Sequence, residues 1–375
     1  MFTDYARYYL TFGLQLLTAT GLLLGGAWAW LGLSTLFLFA VVDELLPLDL
    51  ATRRMTDRRL ASIPLWLCTV SGPLLVLVLA WSAANGHFSG LDWAGAIIST
   101  AWMSVIAYVP SSHELYHQRG WLPQVVGTYG QVVYLDCTRN VGHTVGHHID
   151  VGTPADSDSA VRGTTLYTFT PRAVVESTVL SSRIESDALE KRGYGRWNWR
   201  HKAYKAVLAQ LVFHTIAYAL AGWTGVFAAL ASMLVARLWV ESFNYFQHYG
   251  IVRVPGKPVA RRHVWNHLGF FTRIVAFEIT NHADHHLDSY IPYYKLRPDT
   301  TAIRTPNVFL CFLTALIPPV WHKLIIMPKL KEWDLKFASA EERQIARAQN
   351  LAAGWPDWFE FGEQAISGPH PAFRH

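Results

Sequence analysis

Charge is scarce in this chain, and cysteine nearly absent. Only 16% of its 375 residues are Asp, Glu, Lys or Arg, against roughly a quarter in an ordinary soluble domain. The shortage is concentrated. No charged residue occurs from Tyr8 to Val42, from Leu60 to Leu91, from Trp93 to His113 or from Ala206 to Ala236. A soluble domain does not need such runs; a helix crossing hydrocarbon needs about 20 apolar residues and finds them here. The three cysteines, Cys68, Cys137 and Cys311, stand far apart without a CxxC pair. That excludes a disulfide framework, a zinc ribbon, a rubredoxin and an iron–sulfur site within the chain. A nucleotide fingerprint is also missing: GLLLGG from Gly21 to Gly26 follows no strand and reads as close helix packing inside an apolar run. With no basic helix or stripe, nucleic acid is not an expected partner. The N-terminus has neither a basic n-region nor a small-residue cleavage site, so no cleaved signal peptide is expected.

What remains is 51% hydrophobic and patterned for a bilayer. The sequence predicts an all-α, polytopic membrane protein forming one integral-membrane domain over residues 1–375. Six spans are expected, about 8–28, 30–48, 62–84, 92–111, 203–222 and 224–243. The first two form a hairpin turning near Gly32. The last two form another near Gly222, with Gly225 as a second turn point. Val308 to Ile317 is apolar but is cut off by Pro318 and Pro319; it is too short to cross and should lie at the interface or re-enter. The loop after the second span carries Arg53, Arg54, Arg58 and Arg59, and positive loops stay in the cytoplasm. Both termini, and the segments 112–202 and 244–375, then share the cytoplasmic face. The sixteen Trp and sixteen Tyr suit interfacial belts. The net charge of +5 reflects the same inner-face bias and suits an acidic partner.

Nine of the seventeen histidines fall in four groups, all within or bordering those cytoplasmic segments. His113 and His117 lie in HELYH, and His143, His147 and His148 in HTVGHH. His248 lies in NYFQHYG, and His282, His285 and His286 in HADHH. Residues three and four apart share a helix face, so each multiple group can aim its imidazoles at one point. Neutral imidazole ligates iron, copper, zinc and nickel. Nine exceed what one ion can coordinate, which points to two metals. His263 and His267 in HVWNH compete as a fifth pair. His87, His201, His214, His322, His370 and His375 are isolated and read as structural or surface residues. HELYH also satisfies HExxH, the zinc protease helix, but that reading leaves most of the other histidines unexplained. A metal transporter would need ionisable residues inside the spans, and the first three have almost none. Imidazoles in an apolar setting suit oxygen-activating iron.

SHELYH, GTPADSDSAVRG, SFNYFQHYG, EITNHADHH and AGWP resemble the membrane-bound non-haem di-iron hydroxylases, the alkane hydroxylase and xylene monooxygenase family. The likeness runs over nearly the whole chain and is most specific at the histidine boxes. It is closest to the xylene and p-cymene branch: Gln247 and Gly142 stand where the alkane branch carries Glu. The resemblance implies that His113, His117, His143, His147, His148, His248, His282, His285 and His286 hold two iron ions. It also implies O2-dependent hydroxylation of a methyl group on an apolar, lipid-partitioned hydrocarbon. The expected substrate is a toluene-, xylene- or p-cymene-like aromatic, with a terminal alkane hydroxylase or a membrane fatty-acid desaturase as alternatives. Electrons would come from a separate NADH-dependent reductase carrying FAD and a [2Fe–2S] cluster, and the setting would be the bacterial inner membrane. Groups expected to orient the imidazoles are Glu114, Asp150, Asp284 and Asp288, with Asn244 and Asn281 as neutral partners; Asp136 and Asn140 are further candidates. Asp156 and Asp158 are expected to cap or shape the loop after the second box.

Overall fold

The computed structural model describes residues 2–359, which leaves His370 and His375 outside the described residues. Among the described residues there is no strand beyond one isolated bridge, Asn266 to Arg304. Helices form where the charge-free runs fall: α1 (Tyr9–Leu24), α2 (Leu31–Leu45), α3 (Arg58–Ala84) and α4 (Asp92–His117). After the second box come α5 (Leu166–Lys191) and α6 (Lys202–Gln247). Among the described residues, four helical stretches are long and apolar enough to cross a membrane: Gly26–Leu45, Arg58–Ala84, Asp92–His117 and Lys202–Gln247.

The local chemistry sets the ends. The Asp57 carboxylate accepts from Arg59 N and Leu60 N and starts α3; Thr165 and Thr168 close a capping box on α5. Helix α6 has 46 residues, about 70 Å at the α-helical rise, twice a hydrocarbon core. It is therefore broken, and the break is Gly222 (φ 59°, ψ −161°), in backbone space that other residues avoid. Phe213 before the break and Ala229 and Met233 after it share one apolar cluster. The join between the fifth and sixth expected spans thus falls at Gly222. Gly225 instead packs closely, a Cβ there meeting the Ala80 carbonyl at 3.1 Å.

The first turn departs from expectation. Helix α1 is only 16 residues long and ends at Gly25 (φ 71°), after which a 3₁₀ turn over Gly26–Trp30 leads into α2. Gly32 is no turn: it lies within α2, where a Cβ would meet Ser99 Cβ at 2.7 Å and Thr18 Oγ1 at 2.8 Å. Its glycine serves close packing of α2 on α1 and α4. The short apolar stretch expected at the interface forms α7 (Val308–Ala315), which is largely buried. Phe309 and Phe312 on it join Phe39, Trp102 and Trp239 in an aromatic cluster.

Two π-helical turns interrupt the regular pattern near the histidines, Ser104–Tyr108 within α4 and Gly142–His147 through the second box. Such widened turns redirect side chains, often at functional sites.

Candidate metal centre

The C-terminal ends of α4 and α6, the π turn of the second box and the short helix His282–Leu287 meet at one end of the bundle. Eight of the nine box histidines are buried there, and His148 is half-buried. Their ligand atoms form two sets. Those of His113, His117, His143, His148 and His285 lie within 4.8 Å of one another, as do those of His147, His248 and His286. His282 joins the second set through Nε2, 3.0 Å from Nε2 of His248.

The spacing suggested that each box aims at one point. The second and fourth boxes are instead divided: His143 and His148 face the first set and His147 the second, while His285 faces the first and His282 and His286 the second. The former split falls in the π turn, which widens the chain between His143 and His147, although their ring centroids still lie 5.1 Å apart.

The donor set suits metal ions. Nε2 of His143 lies 2.8 Å from Nε2 of His113 and 3.1 Å from Nε2 of His148. Two imidazole nitrogens about 2.1 Å from one ion and at right angles to each other sit about 3 Å apart, which is this spacing. His117 Nε2, His147 Nε2, His148 Nδ1, His248 Nδ1, His285 Nε2 and both nitrogens of His286 are buried without a protein partner. Each unpartnered polar atom costs on the order of 1–3 kcal/mol; a shared cation removes that cost. Burial, then the neighbouring imidazoles, hold His143, His148, His248, His285 and His286 well below the usual histidine range, and His282 is pushed down to about 3. They are held neutral, the form that binds metal.

Beside them lies a buried ionic cluster. Arg139 pairs with Asp136 (3.0 Å), Asp158 (3.9 Å) and Glu241; Arg237 pairs with Asp136 (3.2 Å) and Glu241. Two guanidiniums face three carboxylates, an excess of negative charge that a metal ion held by the neighbouring histidines would balance. The Asp158 carboxylate reaches within 4.8 Å of ligand atoms on both His143 and His147.

None of the six groups expected to orient the imidazoles hydrogen-bonds to one. Glu114 accepts from Tyr293 N at 3.2 Å. Asp284 accepts from Arg297 N and Arg261, and Asp288 from Tyr290 N. Asn244 donates to Glu241 and Asn281 to Glu278. Asp150 makes no side-chain bond to a histidine, its backbone carbonyl capping Thr153. The orienting group is Asp156, read from sequence as loop-shaping. It does shape the loop, accepting from Asp158 N and Ser159 Oγ, but both its oxygens also lie 3.0 Å from His147 Nδ1. Burial works against charge on His147, and Asp156 outweighs it, holding the ring above its ordinary value. Neither member of the competing pair joins the sets: His263 Nε2 meets Glu342 at 2.8 Å, and His267 Nδ1 meets the Pro306 carbonyl at 2.8 Å. His87, His201, His214 and His322 contact backbone carbonyls or hydroxyls elsewhere. The HExxH reading also fails here, since His113 and His117 share their set with three further histidines.

A small cavity of about 70 Å³ ends on His113, His143, His248 and His282, so it touches both sets. Its walls are mainly apolar, from Val105, Ile106, Val109, Val240, Phe243 and Ile279.

Comparison with known proteins adds the lineage. A family model described as fatty acid desaturase matches residues 89–306, which include every box histidine. The xylene/toluene monooxygenase hydroxylase component of Pseudomonas putida is 39% identical over 368 residues, 95% of this chain and 97% of the relative. Two alkane 1-monooxygenases of Pseudomonas aeruginosa are 28% and 30% identical, covering 87% and 76% of this chain and 89% and 76% of their own length.

Proposed function

Because this chain belongs to the membrane-bound monooxygenase family that includes the xylene/toluene and alkane enzymes, we propose that it hydroxylates the methyl group of a compact aromatic hydrocarbon. The nine box histidines hold two iron ions in this reading, five on one and four on the other. Bound there, iron supplies the reduction of O2 that places one oxygen atom in the C–H bond and releases the other as water, with two electrons and two protons from outside.

The observation that carries an apolar hydrocarbon substrate is the cavity. A hydrocarbon gains free energy by leaving water for apolar walls, and Val105, Val240, Phe243 and Ile279 provide them next to histidines of both sets. Its volume of about 70 Å³ is well below the roughly 150 Å³ of a dry cavity that takes benzene. It therefore admits the reacting methyl end of a hydrocarbon and leaves the remainder in the mouth; the aromatic class is supported by the 39% identity to the xylene/toluene monooxygenase hydroxylase component. Gln247, which lines the same cavity, is neutral and adds no carboxylate that would draw water in. The apolar walls also hold the reacting methyl in place and exclude solvent. Asp156 fixes the ring orientation of His147.

We further place the site in the cytoplasm, with the protein in the bacterial inner membrane as one domain. Arg58 of the basic loop lines the same cavity as His117, so the histidines share its side. Electrons then arrive from a separate NADH-dependent reductase with FAD and a [2Fe–2S] cluster.

The test is oxidation of toluene, p-xylene, p-cymene and octane offered together to cells making this protein and such a reductase. Benzylic alcohols are the expected products. Hydroxylated octane alone would overturn the substrate class, and an alkene product would turn the reading to desaturation. The orienting group has its own test. Asp156→Asn is expected to weaken metal binding about 10- to 100-fold, the usual effect of losing such a partner. Titration of the apoprotein with Co(II), followed by its visible spectrum, measures this; unchanged affinity would confine Asp156 to the loop.

A further inference from the structure

A second, larger cavity of about 390 Å³ reaches the five-histidine set from the opposite chemistry. His117 and Glu114 line it, and both are buried. Its other walls include Arg58, Arg119 and Lys295, all exposed. None of these three cations forms an ion pair among the described residues; Arg119 lies over the Tyr290 ring at 5.4 Å. The two cavities touch different histidines. The apolar one touches His113, His143, His248 and His282, and the polar one touches His117. One approach suits a lipid-borne hydrocarbon. The other is open to water, ringed by positive charge and ends on a histidine whose Nε2 has no protein partner.

We propose that this cleft is the docking site of the electron donor, and that electrons enter the centre through His117. The inference rests on the reading above that a separate iron–sulfur reductase serves this protein. The occupant is an acidic face of that reductase, not substrate. Three unpaired cations around one opening attract a negatively charged surface and orient it as it arrives. The buried Glu114 carboxylate is the sole acid among the residues lining the cleft, so the rim is left with its positive charge. A donor seated there needs to pass its electron only through the imidazole at the floor. On the apolar side it would have to displace the hydrocarbon and cross low-dielectric walls.

The test uses the full-length protein in phosphatidylcholine nanodiscs, with a purified NADH-dependent flavin/[2Fe–2S] reductase as the probe. The triple charge reversal Arg58→Glu, Arg119→Glu and Lys295→Glu is compared with wild type and with the charge-keeping Arg58→Lys, Arg119→Lys and Lys295→Arg. The reversal is expected to raise the KM for reductase about tenfold or more at low salt, with the difference shrinking as ionic strength rises. Product formed in a single turnover after dithionite reduction should be unchanged, and the charge-keeping variant should follow wild type. Lys295→Glu alone, at an exposed turn, should shift KM the same way by a smaller factor, which covers poor insertion of the triple variant. An unchanged KM in both reversed variants, with wild type saturable, overturns the location. If wild type turns over with dithionite but not with the reductase, the reductase reading itself fails and the docking site with it. Loss of binding to anionic vesicles with an unchanged reductase KM would assign the cations to lipid headgroups and also overturn the proposal.

Discussion

His285→Ala is expected to empty the five-histidine set of metal and to lower hydroxylation by more than the roughly 100-fold that loss of a supporting group costs, while the protein still inserts and folds. The His285 ring packs against its whole set, with centroids 4.9 Å from His113, 5.2 Å from His117, 4.8 Å from His148 and 6.4 Å from His143. No neighbour on the chain can substitute, because His282 and His286 face the other set. The folding penalty is modest for a clear reason. The Nε2 of His285 has no protein partner, so alanine removes an unsatisfied polar atom and breaks no hydrogen bond there. What is lost is packing, on the order of 1–3 kcal/mol. Iron per chain by elemental analysis, product yield and the unfolding temperature of the metal-free protein separate these effects. A variant that keeps two irons and full turnover removes His285 from the ligand set.

Glu278→Ala should do the reverse, damaging the fold first and the centre through it. Glu278 is fully buried. It accepts from Arg53 Nε at 2.6 Å, Arg273 Nε at 2.6 Å, the Tyr8 hydroxyl at 2.5 Å and Asn281 Nδ2 at 2.9 Å. It also sits, with Phe277, in the left-handed region (φ 59° and 45°), where a bulky residue is held only by its surroundings. Alanine leaves Arg53 and Arg273 to share Asp49, two buried cations on one carboxylate. Removing one member of a buried ionic group costs about 3–5 kcal/mol. Through Asn281 and the chain itself the disturbance reaches His282. Glu278→Gln keeps the shape without the charge and should lose less. Unfolding midpoints in detergent for the metal-free forms check the order wild type, Gln, Ala. Equal midpoints would show that Arg53 and Arg273 do not depend on Glu278.

The helices were legible because the bilayer imposes a crude requirement, a long run without charge, and the chain meets it. Turns were less so. Gly222, Gly225, Gly25 and Gly32 are alike on paper, but only Gly222 and Gly25 adopt positive φ; the other two make room for Ala80 and Ser99. The histidines were found by spacing, since four boxes in one chain leave few other readings. Their division is not legible from spacing, because i,i+4 spacing implies a regular helix and Gly142–His147 widens into a π turn. The orienting carboxylate was missed for a similar reason. Asp150 is close to His148 in sequence, but it is Asp156 that the loop carries back to His147. Glu278 gave no local signal at all: its partner Tyr8 lies 270 positions away.

The division of the last box sets the order of events in the cell. His285 completes one histidine set, and His282 and His286 complete the other. The first cannot close before the ribosome has delivered residue 285, nor the second before residue 286, by which point the four long apolar helical stretches among the described residues have already been made. In the two-metal reading proposed above, metal capture therefore waits for the last box, which is made after those helices, and both sets are completed within two residues of each other.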